Sequence, residues 1–169
     1  MQTLPDVTAL GWLNSARRFA AAANHLVDDH PDEFLEDAIY FLYSHALELA
    51  LKAFLLSHNR PIKKVHDLVK LYRDCRSLRL VLNGRDPLDL VNITSLLEKA
   101  NENQGLRYFN MKSSWLPDLA WTRAVIEDLL AAVEPFAKAA RKHQNQSLAV
   151  KLRVKVQKPV PDPAKAVKP

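Results

Sequence analysis

Glycine and cysteine are scarce in this chain of 169 residues, which contains three glycines and one cysteine. Dinucleotide-binding folds and P-loops need glycine where the backbone approaches a ligand or adopts a positive φ, so the sequence argues against both. The single Cys75 excludes an internal disulfide and a multi-cysteine zinc site, and it fits a reducing compartment. Arg73 and Arg76 lie beside this cysteine, which predicts a lowered thiol pKa, but no catalytic partner for it stands out.

Long uninterrupted apolar runs and a convincing targeting segment are also missing. The most apolar stretch, residues 34–56, contains five ionisable residues: Glu36, Asp37, His45, Glu48 and Lys52. Ionisable groups are costly at membrane depth, so we expect this stretch to be the buried helix of a soluble protein that does not contact a membrane. A cytoplasmic location follows as an expectation.

The net charge of +5 belongs to one end of the chain. Residues 142–169 hold seven of the 24 basic residues and one of the 19 acidic residues, so the remaining body is close to neutral. A nucleic-acid footprint has to lie on a folded face. The overall charge is therefore no argument that the domain binds nucleic acid.

Prolines divide the body into segments of similar length. Five of them each precede a segment with apolar residues at helical spacing: Pro5, Pro31, Pro61, Pro87 and Pro117. Proline is tolerated in the first turn of a helix and excluded from its interior. The pattern predicts an all-α bundle of five helices, at about residues 6–27, 31–57, 65–82, 87–101 and 117–142, with the apolar second helix at the centre.

The C-terminal residues follow a different period. Apolar residues at 148, 150, 152, 154 and 156 alternate in part with basic residues, and prolines follow at 159, 161 and 163. We therefore divide the chain into a bundle at 1–142 and a basic tail at 143–169, with a short strand or extended segment at 147–157. A lone strand has no partner in a helical domain, so it would stay disordered, lie along the bundle, or pair with a second copy.

The second helix carries a polar stripe on its apolar surface. At helical spacing Asp37, Ser44, Glu48 and Lys52 lie nearly on one line, with His45 beside it. One interpretation is a structural ion pair between Glu48 and Lys52 at a groove or dimer seam. The other is a functional cleft in which Glu48 orients a cationic residue arriving from another helix.

Two further segments contain chemically capable side chains. His66 is predicted in the first turn of the third helix, where it would either remain neutral and accept a proton or close the turn by hydrogen bonding. The segment 104–115 interleaves cations with aromatic residues, including Arg107 and Tyr108. It would either hold phosphates and stack bases, or cap one end of the bundle.

Three short motifs, taken in order, resemble the HEPN domain of bacterial and archaeal proteins. They are the run 46–52 with Glu48 and Lys52, the triplet His66-Asp67-Leu68, and the triplet Leu106-Arg107-Tyr108, and the resemblance covers roughly residues 8–140. It implies an up-and-down helical bundle that commonly forms a dimer and needs no metal or cofactor. Members often accompany nucleotidyltransferases or act as toxins and antiphage factors, which makes a toxin–antitoxin or antiphage system and a nucleotidyltransferase partner expectations here.

The function implied by the resemblance is binding of RNA or a nucleotide at Glu48, Lys52, His66, Arg107 and Tyr108. Arg107 and Lys52 would contact phosphate. An alternative is a metal-independent ribonuclease in which His66 transfers a proton and Arg107 stabilises charge on phosphate. Many HEPN nucleases use an arginine followed four to six residues later by a histidine, a pattern absent after Arg107, so His66 would have to converge on it in space. A third alternative is a structural, non-catalytic interaction protein.

Overall fold

The structure is a computed structural model that describes residues 8–29, 35–62, 66–101 and 116–156. Within these ranges it contains five helices and no strand: α1 (Ala9–Asp29), α2 (Glu36–Ser57), α3 (Leu68–Ser77), α4 (Pro87–Ala100) and α5 (Leu119–Val156). The predicted all-α class and helical bundle are confirmed.

Helix α2 forms the centre of the bundle, as its apolar composition predicts. Fourteen of its 22 residues are buried, and it packs against α1, α3, α4 and α5. The largest fully buried side chains include its Tyr43, Leu47, Leu51 and Phe54. A helix that is apolar on nearly all sides is stable in water only when neighbours cover it in this way.

By length and composition alone, α2 is the one helix in the described ranges that is long and apolar enough to cross a membrane. Inside the bundle, 78% of its most apolar window is buried. The core helix of a soluble domain has this same property, so its hydropathy is accounted for by packing.

Helices α3 and α4 each begin at a capping aspartate, and the connection between them, residues 78–86, contains a turn at Gly84. Asp67 accepts a hydrogen bond from the backbone N–H of Lys70, and Asp86 accepts one from Leu88, one residue after Pro87 opens α4. Side chains of this type satisfy backbone donors at a helix start. Gly84 adopts a φ of 76° in the connection, a conformation that glycine reaches without steric cost.

Helix α3 ends at Ser77, five residues before the predicted end. The backbone N–H groups of Leu78 and Leu80 both bond to the carbonyl of Cys75, and Arg79 between them has a φ of 64°. A residue in the left-handed region after the last turn is a common helix terminator. The sequence has arginine at this position where glycine is usual, which is why the stop is not visible in the sequence.

Ion pairs and hydrogen bonds fasten α5 to α1. Arg17 pairs with Glu134 at 2.7 Å, and Arg123 pairs with Asp28 at 2.7 Å. Near the second pair, the Asn24 amide donates to Glu127 at 2.9 Å. The contacts are spread along both helices and hold α5 in register over the α1–α2 pair.

The strand predicted at 147–157 is wrong up to Val156, because α5 continues as a helix through this segment without interruption at residue 142. Extending an existing helix adds one hydrogen bond per ordered residue, whereas a lone strand gains no ladder partner in this bundle. Alanine, leucine, lysine and arginine, which are frequent here, are good helix formers. Residues 157–169 lie outside the described ranges.

Candidate functional site

A buried ion pair on α2 forms the base of the site. The ammonium of Lys52 lies 2.5 Å from Oε1 of Glu48, one helical turn earlier. Both residues are buried, with exposed fractions of 4% and 7%, and Ser44 of the same stripe is buried as well. A charged pair removed from water persists because each charge compensates the other at close range.

Trp12 of α1 completes the surroundings of the lysine. The Lys52 ammonium lies 5.6 Å from the centre of the indole ring, within the range of a cation–π interaction. The ammonium of Lys52 therefore interacts inside the bundle with the carboxylate of Glu48 and the indole of Trp12. The lysine predicted as a phosphate ligand is buried and engaged in these contacts.

His66 lies above the buried pair. Its Nδ1 lies 3.0 Å from Oε1 of Glu48, the oxygen that also contacts Lys52. Its side chain is nevertheless 71% exposed. A proton on Nδ1 donates to the carboxylate and leaves the other ring nitrogen, Nε2, as the acceptor of a neutral imidazole.

The prediction that His66 occupies the first turn of α3 is wrong by a short distance. The helix begins at Leu68 with Asp67 as its N-cap, so the histidine lies immediately before the cap. Glu98 of α4 accepts a hydrogen bond from the backbone N–H of Leu68 at 2.6 Å and fixes this helix start against α4. Glu98 thus supports the backbone that presents His66.

Sequence reasoning missed Trp12 and Glu98. Trp12 adjoins the apolar face of α1, where a large aromatic residue beside the buried alanines was the available signal. Glu98 carries no comparable signal, because its partner lies 30 residues away along the chain and becomes a neighbour only when α3 packs on α4.

Arg107 and Tyr108 lie outside the described residues, as does the rest of the segment 102–115. Of the five predicted binding residues, the structure therefore brings together Glu48, Lys52 and His66. The convergence of His66 with Arg107 stays a prediction.

The single cysteine of the chain lies inside the bundle, away from solvent. Cys75 is buried and its thiol lies 3.4 Å from the carbonyl oxygen of Leu51, to which it donates. Burial raises the pKa of this thiol well above its ordinary value, so the expectation that neighbouring arginines lower it is wrong. His25 pairs with Asp29 at 3.0 Å on the surface of α1. The described part of the chain holds no group of three or more potential ligands for a metal ion.

The chain was compared with known families, curated proteins and solved structures. The family model for the HEPN domain matches residues 9–143, which is more than half of the chain. No curated protein and no solved structure matches it. HEPN domains are nucleotide-binding and ribonuclease-like modules. The match spans α1 to α4 and α5 as far as residue 143, and it includes Glu48, Lys52, His66 and Arg107, so the chain belongs to the HEPN domain family.

Proposed function

We propose that this HEPN domain binds RNA or a nucleotide through the face that presents His66. The observation that carries the proposal is the contact between the exposed imidazole of His66 and the buried carboxylate of Glu48. A surface histidine held by a buried acid has a fixed ring orientation, which is the state a binding or reacting group needs. Lys52 holds the acid in turn and is not itself a ligand group.

In the proposal, Arg107 and Tyr108 supply the rest of the interface. A guanidinium binds phosphate with paired hydrogen bonds, and a phenol ring stacks on a base. Both belong to the segment that resembles the third HEPN motif. The exposed His66 ring nitrogen would contact the same phosphate or a ribose hydroxyl.

Binding is tested with full-length protein and a fluorescently labelled single-stranded RNA at two salt concentrations. We expect His66→Ala and Arg107→Ala each to weaken binding about tenfold and the parent affinity to fall as salt rises. His25→Ala and Arg18→Ala are matched controls, because these residues are exposed on α1. Unaltered binding by both site variants contradicts the proposal.

A second variant distinguishes RNA binding by the bundle from RNA binding by the basic C-terminal residues. Replacing the six basic residues from 151 to 168 with glutamine in the full chain removes the positive charge of that segment while keeping its length. RNA binding that persists in this variant and still depends on His66 supports the bundle face. Binding lost with the tail charges assigns it to the tail instead.

The Glu48–His66 contact also favours a second function, metal-independent RNA cleavage. Nε2 of a neutral His66 would take the proton of a ribose 2′-hydroxyl, and the 2′-oxygen would attack phosphorus to form a 2′,3′-cyclic phosphate. The P–O5′ bond would break, and the departing 5′-oxygen would accept a proton from water. Arg107 would stabilise the charge on the phosphate. Incubation of labelled RNA in the presence of a chelator tests this, and an intact substrate after incubation with the parent protein excludes it.

We further propose that the domain works as a homodimer and that its partner in a toxin–antitoxin or antiphage system is a nucleotidyltransferase. The support is the family membership. Light scattering coupled to size-exclusion chromatography tests the first point, where a monomer mass at high protein concentration contradicts it. Co-purification with a nucleotidyltransferase from the same genome tests the second.

A further inference from the structure

Two adjoining grooves open on the surface formed by α3, α4 and α5. One is about 490 Å³ and lies between α5 and the α3–α4 connection, and the other is about 370 Å³ and lies between α3 and the start of α4. Arg79 and Val81 line both of them. We call the combined surface the α3–α4 groove, lined by Tyr72, Arg76, Arg79, Val81, Pro87 and Phe136.

The exposed apolar side chains of the described residues gather at this groove. Three large hydrophobic residues are exposed among the described residues up to 147: Val81 at 62%, Leu88 at 59% and Phe136 at 42%. Val81 and Phe136 line the groove, and Leu88 follows Pro87 at its edge. Single exposed apolar residues are ordinary, but several at one place mark an interaction site.

Four charged residues line the groove, the arginines Arg76 and Arg79 and the aspartates Asp86 and Asp128, and only the side chains of the arginines lack a hydrogen-bond or ion-pair partner among the described residues. Arg76 and Arg79 are exposed, and neither has a carboxylate partner in the part of the chain that the structure describes. The two acidic residues at the border are engaged elsewhere, because Asp128 is paired with Arg85 and Asp86 caps α4. Two guanidinium groups are therefore available beside an apolar surface.

Arg79 stands at a position where its backbone is unfavourable for arginine. Its φ of 64° lies in the left-handed region, and glycine is the residue that ends helices in this geometry without a steric penalty. The fold thus carries a local strain that a glycine would remove. A strained residue of this kind points to a use for its side chain.

We propose that the α3–α4 groove is a docking surface for an acidic amphipathic segment of another protein. Carboxylates of that segment pair with Arg76 and Arg79, and its apolar side chains cover Val81 and Phe136. Aromatic and arginine side chains are the residues that protein interfaces favour.

Two other occupants fit less well. Exposed valine and leucine offer no stacking surface to the bases of RNA, and the ring of Phe136 already packs against Phe54 and His58. A second copy of this chain that met the groove with its own groove would offer Arg76 and Arg79 no unengaged carboxylate, because Asp128 is paired with Arg85 and Asp86 caps α4.

The proposal is tested by phage display, in which random peptides are selected for binding to the full chain. Selection is counter-screened with Arg76→Glu/Arg79→Glu, and the enriched consensus is synthesised for affinity measurements. We expect peptides rich in aspartate and glutamate around leucine, phenylalanine or tryptophan. Arg79→Glu and Val81→Asp should each lower the affinity for the consensus peptide about tenfold. Arg18→Glu, on α1, should leave this affinity unchanged.

The variant Arg79→Gly distinguishes a loss of peptide binding from a loss of stability. Because glycine relieves the left-handed backbone, we expect the melting temperature to rise by about 2–4 °C while the peptide affinity falls. An unchanged peptide affinity in this variant overturns the proposal.

Three other results also overturn it. They are the absence of enrichment for acidic peptides, dissociation of a dimer by Val81→Asp, and binding of labelled polyuridine that is lost on Arg79→Glu while no peptide binds. None of these measurements depends on His66, so failure here is distinguishable from failure of the proposed RNA site.

Discussion

Oε1 of Glu48 lies 3.0 Å from Nδ1 of His66, although the two residues are separated by 18 positions in the chain and differ sharply in exposure. The same oxygen contacts the buried ammonium of Lys52. One carboxylate oxygen therefore connects a charge inside the bundle with an imidazole on its surface. This relationship gives Glu48 a structural role and, in the function proposed above, a second role in orienting His66, and the two can be measured separately.

The structural role predicts a large loss of stability when Glu48 is replaced by alanine. The ammonium of Lys52 would remain buried without its partner, and breaking a buried pair in this way costs about 3 kcal/mol of unfolding free energy. Glu134→Ala is the matched control, because Glu134 forms its ion pairs at the surface, where solvent screening leaves only a small loss of unfolding free energy to be expected. Urea denaturation of both variants measures the difference.

Replacing both members of the pair sharpens that prediction. Glu48→Leu/Lys52→Met fills a similar volume without charge, so we expect its unfolding free energy to return to within about 1 kcal/mol of the parent. A double variant as unstable as Glu48→Ala would mean that packing around α2, and not an uncompensated charge, limits the stability.

The helical period made the α2 part of this site predictable. Residues four positions apart share a face, so the alignment of Ser44, Glu48 and Lys52 follows from the sequence once the helix is recognised. The capping residues Asp67 and Asp86 and the opening Pro87 are local signals in the same sense. Each acts on backbone groups only a few residues away.

The contacts between helices could not be predicted in this way. The indole of Trp12 reaches Lys52 from 40 residues away because α1 packs on α2, and no local pattern encodes that pairing. The alternation near the C-terminus indicates a strand by period, yet the preceding helix continues through it. Propagation of the existing helix and the helix-forming residues of this segment outweighed the alternation there.

Two buried tyrosines predict a loss of stability at alkaline pH. Burial raises the pKa of Tyr40 and of Tyr43 to about 12, mainly because their phenolate forms are poorly solvated. In the unfolded chain the phenol ionises near pH 10, so the stabilisation is complete below pH 10 and is lost between pH 10 and 12. Each residue contributes about 2–3 kcal/mol to this dependence.

Absorbance of tyrosinate during a pH titration checks the prediction. Tyr40 and Tyr43 should ionise only as the protein unfolds, and Tyr40→Phe/Tyr43→Phe should reduce this late phase to the contribution of Tyr72, whose pKa burial also raises. Titration of all four phenols near pH 10 with helicity retained would contradict it.

Cys75 predicts an unreactive thiol in the folded protein. Its side chain is fully buried, donates to the carbonyl of Leu51 and has a raised pKa, so the thiolate is both rare and inaccessible. We expect Ellman's reagent to modify it at least about a hundredfold more slowly in buffer than in concentrated urea. Equal rates would show that α3 opens readily from α2.

The functional role of Glu48 predicts coupling to His66 in RNA binding. Glu48→Gln keeps a hydrogen-bond acceptor of nearly the same shape but removes the charge, so His66 should be held less firmly and RNA affinity should fall about threefold. In the His66→Ala background the same change should have no further effect on RNA affinity, since the ring that it orients is gone. The coupling is measured by fluorescence anisotropy of RNA binding with four proteins: the parent, Glu48→Gln, His66→Ala and the double variant. Thermal unfolding confirms that each of the four is folded at the assay temperature. Additive effects would contradict it, because they would mean that Glu48 influences RNA binding by a route that does not pass through His66.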